Sequence, residues 1–263
     1  MSNIDVTVAG GIADVRLDRP DKLNGLTLPM LRDLAAAARK LRGDKQIRAV
    51  ILSGTGDSFC AGLDFKTVTA DPKQLPLGML PRPWRGTNVF QEACWAWRRV
   101  PVPVVAAVHG HCYGGGLQIA LGADLRVTAP DAKWSVLEGK WGLIPDMTGV
   151  RALSELVGIE TAKRLTMTAE IISGEEAARL GLVGQVHAEP YDAARALAES
   201  LTDRSPDALV AAKRLFDKTW RSSPRRTFAR ERWEQTMLLL GKNSKIARTA
   251  GLKREDPVFE HRR

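Results

Sequence analysis

The chain has 263 residues, 44% of them hydrophobic and 26% charged, which are the proportions of a globular protein with a sizeable core. No run of about 18 uncharged apolar residues occurs, so a helical membrane span is not expected, and Asp5, Asp14 and Arg16 interrupt the N-terminal stretch in a way a signal peptide does not. The net charge is +9, and from Lys213 to the end 15 Lys and Arg face 6 Asp and Glu, so this tail alone carries the excess. Solvated helix faces account for such a tail more simply than nucleic-acid binding; attraction for a phosphorylated ligand is the functional alternative. Cys60, Cys94 and Cys112 show no paired spacing, so we expect no disulfide scaffold and a reducing, cytoplasmic setting.

In chain order, residues 6–8 and 12–17 alternate as a short hairpin with Gly10 and Gly11 at its turn. Leu28, Leu31, Leu34, Ala35, Ala38 and Leu41 recur at helical spacing, predicting a helix over 28–42. A buried strand follows at 49–53, and residues 71–86, rich in Pro and Gly, read as a loop. The remaining pattern is a helix at 87–98, a strand at 104–108, a helix at 115–122 and a strand at 125–128. This alternation favours a parallel or mixed sheet with helical crossovers. Beyond about residue 150 the pattern is nearly all helical. Ser173 and Glu176 are spaced as a capping box, Ser205-Pro206 opens a helix, and further helices are expected at 224–240 and 244–252. No linker divides the chain.

Three segments carry chemistry. Residues 59–64, Phe-Cys-Ala-Gly-Leu-Asp, follow a strand and a turn. Residues 105–117 run from a strand into the glycine triplet Gly114-Gly115-Gly116, which opens a helix. Residues 134–146 contain Glu138 and end on Pro145-Asp146. A glycine cluster at a helix start permits close approach of a ligand and offers unpaired N–H groups, which suits an oxygen anion; tight helix–strand packing is the plainer explanation. The glycines fit neither a dinucleotide fingerprint nor a phosphate-binding loop, and no serine nucleophile elbow is present. His109 and His111 lack an evident third ligand, so no metal is expected. Cys60 and Cys112 read as core residues.

Together with residues 18–27 (Asp-Arg-Pro-Asp-Lys-Leu-Asn-Gly-Leu-Thr), residues 122–126 (Gly-Ala-Asp-Leu-Arg) and Ile144-Pro145, these segments resemble the enoyl-CoA hydratase/isomerase (crotonase) superfamily over nearly the whole chain. The resemblance implies an α/β fold, the ClpP-like crotonase fold of repeated ββα units with a C-terminal helical trimerisation region. On that basis residues 1–200 form the core with the acyl-CoA site and 201–263 the helical region, one continuous structural unit. It implies an acyl-CoA thioester as substrate, coenzyme A being part of that substrate rather than a separate cofactor, and a homotrimer or dimer of trimers. The backbone N–H groups of Leu63 and Gly115 fall where the family holds the enolate oxygen, and Glu138 and Asp146 where it keeps acid–base carboxylates. Lys22, Leu23, Ala61 and Lys66 fall beside the coenzyme A, and Lys245 or Lys253 at a neighbouring subunit's ligand. The sequence departs from the hydratases at Gln118, where they carry a second glutamate; an amide cannot exchange protons near neutral pH. Double-bond isomerisation is therefore expected ahead of 2-enoyl-CoA hydration, with a non-catalytic acyl-CoA-binding homologue as a further alternative. Trp84, Trp95 and Trp97 lie in the segment that covers the acyl pocket in the family and are candidates for lining it, with ordinary core packing as the equal alternative.

Overall fold

The computed structural model describes residues 3–68 and 74–263. Strands β1 (Ile4–Ala9) and β2 (Ile12–Leu17) form the expected antiparallel hairpin, in register from Ile4–Leu17 to Ala9–Ile12. Helix α1 (Leu28–Gly43) begins at Thr27, whose hydroxyl accepts the Met30 N–H, and it buries the apolar stripe that its spacing predicts. Strand β3 (Ala49–Gly54) is followed by the short helices α2 (Phe65–Val68) and α3 (Gln74–Met79), then by α4 (Val89–Arg99) with a reciprocal Asn88–Gln91 cap. Next come β4 (Val104–Val108), β5 (His111–Tyr113), α5 (Gly115–Ala120), β6 (Leu125–Thr128) and β7 (Lys133–Ser135), then a 3-10 turn at Leu137–Trp141. The remainder is α6 (Gly149–Leu156), α7 (Ile159–Thr168), α8 (Gly174–Arg179), β8 (Gln185–Val186), α9 (Pro190–Thr202), α10 (Pro206–Thr219), α11 (Pro224–Leu239) and α12 (Lys242–Lys253).

The main sheet has the order β1-β2-β3-β4-β6-β8 and is parallel except for the first hairpin. Strand β4 and the first four residues of β3 are apolar because both of their faces are covered. Val50, Leu52, Val104 and Ala106 belong to the large core that includes α1 and α4, while Ala49, Ile51, Val105 and Ala107 pack with Ala194 and Ala198 of α9.

A second, smaller layer positions the site. β5 pairs with β7 in parallel, and single bridges join Leu26 to Leu63, Cys60 to Cys112 and Trp134 to Ile172. β4 and β6 thus lie in the large sheet while β5 and β7, which follow them, lie in this small layer, and the bridges bring residues 60–63, 111–115 and 133–138 side by side.

Several expectations change. The loop expected at 71–86 contains α3; its first residues, 71–73, lie outside the described residues. The strands β5, β7 and β8, two or three residues each, are too short for alternation to register. Ser173 accepts the Glu176 N–H as expected, but the Glu176 carboxylate pairs with Arg179, so only half of the capping box forms. Part of the C-terminal basic excess is structural: Glu234 pairs with Arg214 and Arg230, and Arg262 donates to the carbonyls of Arg42 and Asp44. Among the described residues no helix is long and apolar enough to cross a membrane.

Candidate active site

The small layer builds its key feature from two glycines in conformations other residues rarely adopt. Gly62 has φ +94 and Gly114 has φ +49. Each turns the peptide that follows it, and those peptides carry the N–H groups of Leu63 and Gly115. The layer's hydrogen bonds hold both turns: Tyr113 N–H donates to Cys60 O at 3.0 Å, and Gly114 N–H to Ser135 O at 3.0 Å. Around Leu63, Leu26 N–H donates to Gly62 O and Asp64 N–H to Leu26 O. The N–H groups of Leu63 and Gly115 themselves donate to no acceptor among the described residues, and both residues line one cavity of about 450 Å³. The two segments touch; a Cβ added at Gly62 would stand 3.0 Å from Tyr113 O and 3.9 Å from Gly115 N. The packing explanation of the glycine triplet holds at Gly116, where a Cβ would meet Cys60 at 2.6 Å.

The same cavity receives Glu138 and Asp146, from the 3-10 turn and the segment after it. The Glu138 carboxylate lies against Gly114, where a Cβ would come within 3.3 Å of Oε1. Its Oε1 accepts from Gln118 Nε2 at 2.6 Å, while Oε2 is buried with no partner among the described residues. Burial pushes the Glu138 carboxyl above the usual range, opposed by its own backbone N–H and the Gln118 amide, and Asp146 adds to the rise. Burial also raises Asp146, opposed by a backbone hydrogen bond. Elsewhere the wall is apolar, with Val68, Phe90 and Met147 among its members. Phe65 and Trp141 meet across it with ring centroids 5.2 Å apart.

Ala61, Gly62 and Leu63 also form one wall of an adjoining open groove, which Lys22 and Lys66 border with Arg19 and Thr67. Leu23 reaches this region through its backbone, its carbonyl accepting the Ala61 N–H at 2.9 Å. Arg19 pairs with Asp64 at 2.8 Å. Asn24, fully buried, accepts from Arg19 N–H and donates to Thr55 O and Ser58 O, which clamps residues 18–27 onto the turn before the site.

Gln118, named with the substrate-binding positions by the family resemblance, has no exposed surface; it lies behind Glu138 and is not among the residues that line the cavity. The two alternatives for the tryptophans divide. Trp97 is in the core, Trp84 is 80% exposed, and neither they nor Trp95 line the cavity; Trp141 does. Trp141 and Phe65 escaped the sequence reading although both sit within three residues of named site positions, because an aromatic beside a motif reads equally well as core. Burial pushes the Cys60 thiol up to about 12, which leaves it inert as a nucleophile.

The chain belongs to the enoyl-CoA hydratase/isomerase family, which it matches over residues 7–262. It is 34% identical over 215 residues to enoyl-CoA hydratase domain-containing protein 2, mitochondrial, of Bos taurus, covering 79% of this chain and 70% of that one. It is 33% identical over 214 residues to (E)-benzylidenesuccinyl-CoA hydratase of Thauera aromatica, covering 80% of each. The crystal structure of an enoyl-CoA hydratase from Bacillus anthracis superposes with a TM-score of 0.90 at 26% identity, covering 98% of this chain and 99% of that one. The fold is thus the crotonase fold, and an acyl-CoA thioester is the substrate consistent with the family.

Proposed function

We propose that this protein moves the double bond of a 3-enoyl or 3,5-dienoyl coenzyme A thioester through an enolate. The observation that carries the reading is that Glu138 and Asp146 line one apolar cavity with Leu63 and Gly115, whose amides are unpaired among the described residues, while position 118 holds an amide. The Leu63 and Gly115 N–H groups receive the thioester oxygen as negative charge builds on it, an effect of about 10²–10³ in rate per donor. Glu138 takes the proton from C2 and returns one further along the chain, with Asp146 as a second acid–base group toward the distal carbons; positioned transfer of this kind contributes roughly 10²–10⁴. Lys22 and Lys66 attract the phosphates of coenzyme A along the groove, and no cofactor beyond the coenzyme A of the substrate is required. The helices from residue 201 onward serve assembly into a homotrimer or a dimer of trimers.

A second reading, hydration of a 2-enoyl thioester with Glu138 and Asp146 handling water, draws support from the relatives named as hydratases. Incubation with 3-enoyl, 3,5-dienoyl and 2-enoyl thioesters separates the two. Isomerised product from the first or second is expected; a water adduct from the third alone would replace isomerisation by hydration. Glu138→Gln should abolish turnover with ligand affinity nearly unchanged. A wild-type protein that binds acyl-CoA and turns over none of the three would be a non-catalytic homologue.

A further inference from the structure

Gln118 is held from both ends. Its Oε1 accepts the Gly149 N–H at 2.8 Å, and its Nε2 donates to Glu138 Oε1 at 2.6 Å. The first bond decides the second, because an amide whose oxygen faces an N–H must turn its NH2 the other way. The donor at Gly149 is built in. Gly149 opens α6, where a helix N–H has no partner of its own, and the preceding Thr148 sits at φ 77, ψ 5, a left-handed conformation costly for a β-branched residue. Any Cβ at 149 would stand 2.6 Å from Gln118 Oε1, so only glycine lets the amide come this close. Backbone strain, a buried glycine and a buried amide thus converge on one oxygen of Glu138.

We propose that Gln118 is a positioning residue that occupies Oε1 of Glu138 with protons it cannot give up, so that exchange with the substrate runs only through Oε2. This rests on the reading of Glu138 as the proton carrier. Oε2 is the oxygen left buried without a partner among the described residues, on a residue that lines the cavity. In the isomerisation, Oε2 takes the C2 proton and the C–H electron pair enters the dienolate. The new O–H then returns that proton to C4, whose bonding pair comes from the dienolate, and the carboxylate is restored. The Gln118 protons stay on nitrogen throughout. The amide also favours the ionised form of Glu138, which burial opposes.

The test compares Gln118→Met, close in size but unable to donate, with wild type and with Glu138→Gln, using a 3-enoyl thioester across pH. The expected result for Gln118→Met is an unchanged KM and a kcat roughly 10-fold to 100-fold lower, the effect of losing one hydrogen bond to a charged group. The acid limb of its kcat/KM profile should also move to higher pH. An unmoved limb with unchanged kcat would overturn the proposal, since a packing role alone does not shift that limb. If Gln118→Met fails to fold, Gln118→Glu decides: two facing carboxylates must share a proton, so the acid limb should split into two steps, and a single unshifted limb overturns the proposal. Activity surviving in Glu138→Gln would defeat the reading of Glu138 itself, whereas an inactive Glu138→Gln beside an unmoved Gln118→Met limb would defeat only the role of Gln118.

Discussion

Glu138 is a carboxylate whose surroundings favour its neutral form, and both its catalytic and its stability behaviour follow from that. Acting as a base it must be ionised, so kcat/KM should fall as pH drops, with the acid limb displaced above the ordinary glutamate value of about 4.3. Rate measurements across pH check this; a limb at or below that value would remove Glu138 as the base. For stability, a folded-state pKa above the unfolded one means that the folded protein binds the proton more tightly. The favourable contribution is then complete below the unfolded pKa and is lost as pH rises through the folded one. Glu138→Gln, which inactivates in our reading, should therefore raise the melting temperature at neutral pH, with a gain that shrinks toward pH of about 4. Thermal melts of the two proteins at both pH values test it. At this scale the sequence was legible where chemistry follows from residue type: Glu138 and Asp146 do face one cavity. It was not legible where role depends on direction. Gln118 occupies a site position in the motif, yet its side chain turns inward to Glu138 and Gly149, an orientation that no spacing along the chain encodes.

The elements that position the site are the least regular in the chain. The helices could be read where they are long and periodic, as α1 is, and the central strands where they form continuous apolar runs, as β4 does. The layer of β5, β7 and single bridges could not, since three residues hold no period; only the glycines and the family resemblance marked it. Those glycines are where the elements can be tested. Gly114→Ala would place a methyl group 3.3 Å from the Glu138 carboxylate on a backbone with φ +49. Gly62→Ala would place one 3.0 Å from Tyr113 O at φ +94. Either change should turn its following N–H out of alignment and lower kcat by about 10²-fold or more, the worth of one such donor. Because the strain falls on turns of the small layer and leaves the main sheet intact, far-ultraviolet circular dichroism should remain that of the wild type. Full activity in both variants would mean that these amides do not hold the thioester oxygen.

At the scale of the molecule, the cavity wall carries large apolar side chains that are exposed in the single chain. Trp141 is 58% exposed, Leu143 47% and Ile144 68%, and all three belong to the cavity wall. Met167 at 76%, Phe216 of α10 at 63% and Trp220 just after α10 at 60% are further exposed apolar side chains. Exposed apolar groups such as Trp141, Leu143 and Ile144 at one cavity are of the kind that mark surfaces that become covered. The trimeric assembly we propose supplies a cover, and it ties activity to association, because a wall residue exposed in the single chain shapes the cavity poorly. Sedimentation at micromolar concentration should show a species of three or six times the 28.8 kDa chain mass. Dilution until that species dissociates should lower the specific activity, and added acyl-CoA should oppose the loss by favouring the assembled form. A chain that sediments as a monomer with undiminished specific activity would show that the exposed wall needs no partner and that the cavity is complete in one subunit.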